Sequence, residues 1–179
     1  QQGMRLSENR ALARAVLALT VIACFLLSGG GALSRRRNAA LDAFYGEGGI
    51  GGDLNQRAQS AQLLAELGKS YGADEEAVAR VQAAADMAAS QGTIMQRGAA
   101  NKQLTLVADA LYTELTQKDL PEADADYAFR LYKELQSRAQ IIARSGYDAL
   151  AEAYNREIGK FPASLLAILR GLGQLDRFG

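Results

Sequence analysis

The chain has no histidine, no tryptophan, a single cysteine and only two prolines among its 179 residues. Without histidine there is no imidazole general base, no Ser-His-Asp or Cys-His nucleophile pair, and no imidazole metal ligand. A lone Cys24 excludes an intramolecular disulfide and a thiolate zinc site. An excess of one charge is missing too. The 20 Lys and Arg balance 20 Asp and Glu, so the overall charge gives no reason to expect a nucleic acid partner. Only carboxylate, lysine or tyrosine chemistry is left, and the chain reads as non-enzymatic, with no catalytic residue, cofactor or metal expected. The prolines, Pro121 and Pro162, come late, and Ala, Leu, Gln, Glu and Arg abound. That balance predicts an all-α protein with one domain beyond its N-terminal part.

Against this background one stretch stands out. Residues 15–33 hold no charge and are flanked by Arg10 and Arg14 before and Arg35, Arg36 and Arg37 after. As a helix this stretch is about 28 Å long, close to the ~30 Å of bilayer hydrocarbon, and arginines at its ends can reach headgroups. Val16, Leu17, Leu19, Val21, Ile22, Phe25, Leu26 and Leu27 carry most of an insertion free energy of roughly −3 to −5 kcal/mol. Thr20, Ser28 and Gly29 to Gly31 subtract from it. The stretch predicts a transmembrane helix. A cleaved signal peptide, or a lipoprotein signal ending at Cys24, are the alternatives. Arginines on both sides leave the orientation open. The start at Gln1-Gln2-Gly3, ahead of Met4, fits a processed terminus, foreign residues or removal of an organellar targeting segment.

The remainder divides by helix signals. A membrane-proximal connector is expected over 34–52, a short helix-competent piece at 38–45 followed by five glycines within 46–52 that cost roughly 5 kcal/mol relative to alanine in a helix. Asp53 then stands as an N-cap for a helix to about Tyr71, stopped by Gly72, with Leu54, Ala58, Ala61 and Leu64 on its core face. Asp74 caps the next helix, with Glu75 and Glu76 in its first turn and Ala77, Val81, Ala84 or Ala85, and Ala88 inward. A third helix over about 99–118 shows Leu104, Val107 or Ala108, Leu111 and Leu115. The longest periodic stretch, 122–161, runs through Ala128, Leu131, Leu135, Ala139, Ile142, Gly146, Leu150, Tyr154, Ile158 and Phe161, and predicts one long helix ended by Pro162. The helical bundle is thus expected over 53–162, elongated and up-and-down, followed by an amphipathic segment at 163–179.

With these residues in view, the chain resembles the LemA family of membrane-anchored helical-bundle proteins. The resemblance rests on Tyr147-Asp148-Ala149-Leu150, then Tyr154-Asn155, Ile158 and Phe161-Pro162, and on Leu54-Asn55-Gln56-Arg57-Ala58, Leu64, Lys69 and Tyr71. It implies a bundle behind an N-terminal span and, since the family has no established catalytic activity, implies no reaction. The chain departs from the family pattern where an Ala-Trp is usual, having Gly46 to Gly52 instead, and where Gln62 replaces a proline.

Tyr147, Tyr154 and Phe161 recur every seven residues, as a ligand-stacking ladder or as ordinary core; Asn155 beside them fixes helix register or is exposed. Asp119, Glu122, Asp124 and Asp126 around Pro121 suit either a cation or a helix N-terminus, without the glycine-centred loop of an EF-hand. Leu165, Leu166, Ile168 and Leu169 form an interfacial foot near the membrane or a cap on the bundle core. Arg35, Arg36 and Arg37 flank the span and would meet anionic lipid or a partner. The expected role is a scaffold or accessory subunit in a single-pass membrane setting, bacterial inner membrane or an organellar one such as chloroplast or mitochondrion. Its partners would be membrane lipid and other membrane-complex proteins, with a homo-oligomer also open. The competing expectation is a small-ligand or lipid sensor using alanine-lined helix faces.

Overall fold

The computed structural model describes residues 10–179, except for the side chains of residues 10, 11 and 25–29. Among the described residues the protein is an all-α helical bundle of seven helices: α1 (Arg10–Tyr45), α2 (Ile50–Ser70), α3 (Glu75–Ala89), α4 (Ile94–Leu115), α5 (Glu122–Ala143), α6 (Tyr147–Ile158) and α7 (Ala163–Leu169). They fall into two compact units. One joins Gln1–Asn38 with Ala153–Leu175, the other Ala39–Glu152 with Asp176–Gly179.

The larger unit is built on α2, which packs against α3, α4 and α5, while α4 also packs on α3 and α5. Leu54, Ala58, Ala61, Leu64 and Ala65 of α2 are buried, as the three-and-four spacing requires. Alanines dominate the facing side of α3, so Val81, Ala84, Ala85 and Ala88 are buried with little side-chain volume to separate the helix axes. Asp74 caps α3 as expected, accepting from Glu76 N and Ala77 N. The rings of Tyr112 and Tyr132 stack 4.1 Å apart between α4 and α5, and Gln136 donates to Asp109 at 2.8 Å. Gln62 donates to Asp86 of α3 at 2.7 Å.

Several element boundaries differ from those expected. α2 starts at Ile50 with Gly49 as N-cap, and the break after α1 is only four residues long. The helix-competent piece at 38–45 is the end of α1 itself, and of the connector expected over 34–52 only the four residues before Ile50 are non-helical. Two of the glycines sit in the first turn of α2, and the backbone there must pass Phe44: a Cβ on Gly51 would stand 3.0 Å from the Phe44 carbonyl oxygen. Asp53 is not a cap. It lies in that first turn and accepts from Arg138 Nη1 at 2.8 Å, while Arg138 Nε binds Glu134 at 2.7 Å. α4 starts at Ile94 rather than near Ala99, because Thr93 and Gln96 form a capping box in which each side chain accepts from the other's backbone N–H. The stretch 122–161 is two helices, not one. Gly146, at φ +69°, takes the left-handed conformation that only glycine adopts freely and turns the chain between α5 and α6. Leu150, on the expected stripe, is exposed as a result.

The smaller unit holds the first part of α1, the end of α6, and α7. Its buried side chains are Leu33, Tyr154, Ile158, Leu166, Ala167 and Leu175. Arg36 of α1 pairs with Glu157 of α6. Among the described residues no helix is long and apolar enough to cross a membrane. The expected span over 15–33 is not met on that footing: α1 runs through it, but Phe25, Leu26 and Leu27 lie outside the described side chains, and Thr20 and the glycines dilute what is left. Val16, Leu17, Leu19, Val21 and Ile22 are all exposed, and Thr20 donates to the Val16 carbonyl at 2.9 Å.

Inside the larger unit Arg57 is 1% exposed. From α2 its Nε donates to Leu135 O of α5 at 3.1 Å, Nη1 to Asn101 O of α4 at 2.8 Å and also to the Asn101 side chain, and Nη2 to Thr105 Oγ1 at 2.7 Å. Replacing it by Arg57→Met keeps the aliphatic stem but strands these acceptors. The unfolding free energy should fall by roughly 2–4 kcal/mol. Thr93→Ala, which loses only a cap, should cost about 1 kcal/mol. Chemical denaturation followed by circular dichroism measures both; equal losses would show that the buried guanidinium has no special weight.

Candidate functional site

Two side-chain clusters among the described residues receive the irregular C-terminal segment. In the larger unit, the turn at Gly146 places Tyr147 at the start of α6 with its ring fully buried. Its edge meets Phe44 with centroids 5.4 Å apart, and Phe178 lies 5.9 Å from the same Phe44. The Arg97 guanidinium sits 5.2 Å over the Phe44 ring and donates through Nε to Ala88 O at 2.8 Å. Around this aromatic cluster, side chains bind the main chain of the last residues. Tyr147 donates its hydroxyl to Asp176 O at 2.7 Å, and the Asp148 carboxylate accepts from Phe178 N at 2.6 Å and Gly179 N at 3.0 Å. The segment passes so close to α4 that a Cβ on Gly98 would lie 1.7 Å from Phe178 O. Only glycine permits that approach. A hollow of about 500 Å³ adjoins it, lined by residues that include Asn101, Lys102, Ile142 and Asp148.

In the smaller unit the second pair does similar work. Asn155 donates through Nδ2 to Leu175 O at 2.7 Å and accepts from Leu175 N at 2.8 Å, so one side chain satisfies both main-chain groups of that residue. Tyr154 donates to Gly173 O at 3.2 Å. α7 ends in a turn in which Leu172 N reaches back to Ala167 O at 2.8 Å, leading the chain into this stretch.

A LemA family model matches residues 47–179. The chain belongs to the LemA family. No curated protein and no solved structure matches it. In this LemA chain the Tyr147-Asp148 and Tyr154-Asn155 pairs act alike: each holds backbone groups of the segment that follows α7. What they do here is bind main-chain groups through polar side chains. Burial, then the nearby charges of Asp148, Asp176 and Tyr45, push the Tyr147 hydroxyl up to about 12. It stays protonated at neutral pH and serves as a donor.

The remaining expected residues are placed as follows. Ile158 is buried, Asn155 and Pro162 are half-buried, and Leu166 is buried. Phe161 is 83% exposed and does not join Tyr147 and Tyr154 in a ladder or a core, because α6 ends at Ile158 and the helical phase is lost before it. Leu165, Ile168 and Leu169 are exposed; Arg35 is exposed, and Arg37 is half-buried with its Nε buried and unpartnered. Asp124, one of the acidic residues near Pro121, accepts from the Tyr71 hydroxyl. Among the described residues no group of three or more such side chains stands together to hold a metal ion.

Sequence reasoning passed over Phe44, Arg97, Gly98, the buried role of Arg57 and the receiving role of Asp148. A signal existed for the arginines. Arg57 continues the apolar run Leu54, Ala61, Leu64, and Arg97 sits between Ile94 and Leu104 on the same face. A charge on a buried stripe marks an internal anchor.

The raised Tyr147 value has a measurable consequence. A folded-state value near 12 against an ordinary 10 means that its stabilising contribution is complete below pH 10 and is lost as pH rises towards 12. Arg57, which desolvation pulls down to about 10 against the help of Asp109, drifts in the opposite sense over the same window, so the difference between proteins is the quantity to read. The stability advantage of the unaltered protein over Tyr147→Phe should be flat up to about pH 9.5 and fall by roughly 2–3 kcal/mol by pH 12. A flat difference throughout would show that the hydroxyl is not buried.

Proposed function

We propose that this protein is a non-enzymatic scaffold or accessory subunit held at a membrane by the uncharged stretch 15–33, with its antiparallel, up-and-down helices presented to partner proteins. The observation that carries the reading is the surface of α1. Val16, Leu17, Leu19, Val21 and Ile22 are between 49% and 65% exposed and lie around the whole circumference of the helix. A helix that is apolar all round needs a non-aqueous cover, lipid or another protein. Side chains exposed to this extent forgo roughly half of the about 1.5–3 kcal/mol that full burial of each would bring. The full stretch, with Phe25, Leu26 and Leu27, has the length for a bilayer, and its arginine flanks suit headgroups. Bacterial inner membrane and organellar membrane are the settings this would fit.

A second reading is favoured by one observation. Between α3 and α4 lies an open apolar groove of about 590 Å³ with Ala83, Ala84, Met87, Ala99 and Ala100 on its walls. It would suit a small apolar ligand or a lipid chain and make the protein a membrane sensor. Gentle detergent extraction of the native membrane, followed by size separation and mass spectrometry, tests the first reading. The expected result is migration in a defined assembly at fixed stoichiometry. Migration alone or as a small homo-oligomer rejects the scaffold, and thermal stabilisation by an added lipid or apolar ligand would then support the sensor.

A further inference from the structure

The even balance of charge conceals a segregation. The unit formed by Gln1–Asn38 and Ala153–Leu175 carries nine Lys and Arg against two acidic residues, whereas the other carries eleven against eighteen. The first is therefore at +7 and the second at −7. Within the basic unit, α7 shows two faces. Leu166 and Ala167 are each 4% exposed and fasten it to the protein. Leu165, Ile168 and Leu169, spaced i, i+3, i+4, form one outward stripe at 49%, 77% and 64% exposure, extended by Phe161 at 83%. This apolar face is bounded in sequence by Lys160 and Arg170. Arg170 also ties α7 to α1: its guanidinium covers Gly30, where a Cβ would stand 2.3 Å from Nε, close to the C-terminal limit of the uncharged stretch.

We infer that α7 is a lipid-binding foot, with Phe161, Leu165, Ile168 and Leu169 entering the headgroup boundary of an anionic bilayer and Lys160 and Arg170 contacting its phosphates. The inference rests on the membrane reading of 15–33 and deepens it. Lipid is the occupant that the observations favour over protein for two reasons. The apolar stripe is tied to the end of the stretch proposed to span, and the surrounding unit is strongly basic while the rest of the chain is acidic. Amphipathic helices of this composition bind by buried apolar area together with attraction to anionic lipid.

The absence of tryptophan makes the test clean. The full chain carrying Ile168→Trp is reconstituted into phosphatidylcholine vesicles with or without phosphatidylglycerol, using lipids brominated near the headgroup or near the chain ends. Position 168 is exposed, so the substitution leaves the packed residues alone. The expected result is flotation with the vesicles and an indole emission that shifts to the blue and is quenched most by the shallow bromines. Removing Lys160 and Arg170 as glutamines should weaken the anionic-lipid-dependent part of binding by about fivefold per charge. A Leu106→Trp control, exposed in the acidic unit, should stay unquenched. Flotation with an unquenched indole at 168 overturns the foot while leaving the membrane reading standing, and a blue shift without quenching assigns the face to protein, a second copy included. Quenching that ignores phosphatidylglycerol and both glutamines overturns the anionic preference. Failure to float overturns the foot and the membrane reading together.

Discussion

A buried guanidinium sets the register of the bundle. Arg57 reaches from α2 into both α4 and α5, and its planar fork allows its donors to be satisfied only when Leu135 O, Asn101 and Thr105 stand where they do. Apolar contacts among alanine-rich helices are tolerant of sliding by a turn, since Ala, Leu and Val recur every three or four residues along each stripe. A rigid set of hydrogen bonds is not. The cost is desolvation, large enough to pull Arg57 down to about 10, with Asp109 offering only partial Coulombic relief. Since α2 touches α3, α4 and α5, fixing its register against two of them fixes most of the larger unit.

Arg97 repeats the logic one level out. It holds the end of α3 through Ala88 O and covers Phe44 from above, so the last turn of α1, the start of α4 and the aromatic cluster share one cation. Tyr147 and Phe178 complete that cluster, and the adjacent carboxylate of Asp148 takes two backbone N–H groups that no helix or strand supplies with acceptors. A segment without secondary structure must find partners for its main chain elsewhere. Here they are side chains from α6, which explains in physical terms why Tyr, Asp and Asn stand at 147, 148, 154 and 155.

How much of this could be read from the residues divides by the range of the interaction. Asp74, the stop at Gly72, and the stripes Leu104–Ala108–Leu111–Leu115 and Ala128–Leu131–Leu135 were legible because caps and periodicity are local. The glycine run after α1 misled in extent, since its helical cost is offset where the backbone must approach Phe44 closely. Gly146 was overlooked because a single glycine on a stripe looks like a small core residue until its φ is known. The clasp on 173–179 needed contacts some 20 to 30 residues apart in sequence, and no pattern of spacing reports those. The charge segregation was invisible for a simpler reason: it cancels in the total, and only the division of the chain into units separates it.

The same division sharpens what the exposed part of α1 requires. Thr20, the one hydroxyl among residues 15–24, donates to the Val16 carbonyl, so its O–H needs no water as acceptor. Helix-on-helix association in a bilayer relies on small residues that let backbones approach. Gly30 would offer such a spot, but Arg170 of the same chain occupies it. Large, branched side chains at Val16, Leu17, Leu19, Val21 and Ile22 remain, a surface suited to disordered acyl chains more than to a closely fitted second helix.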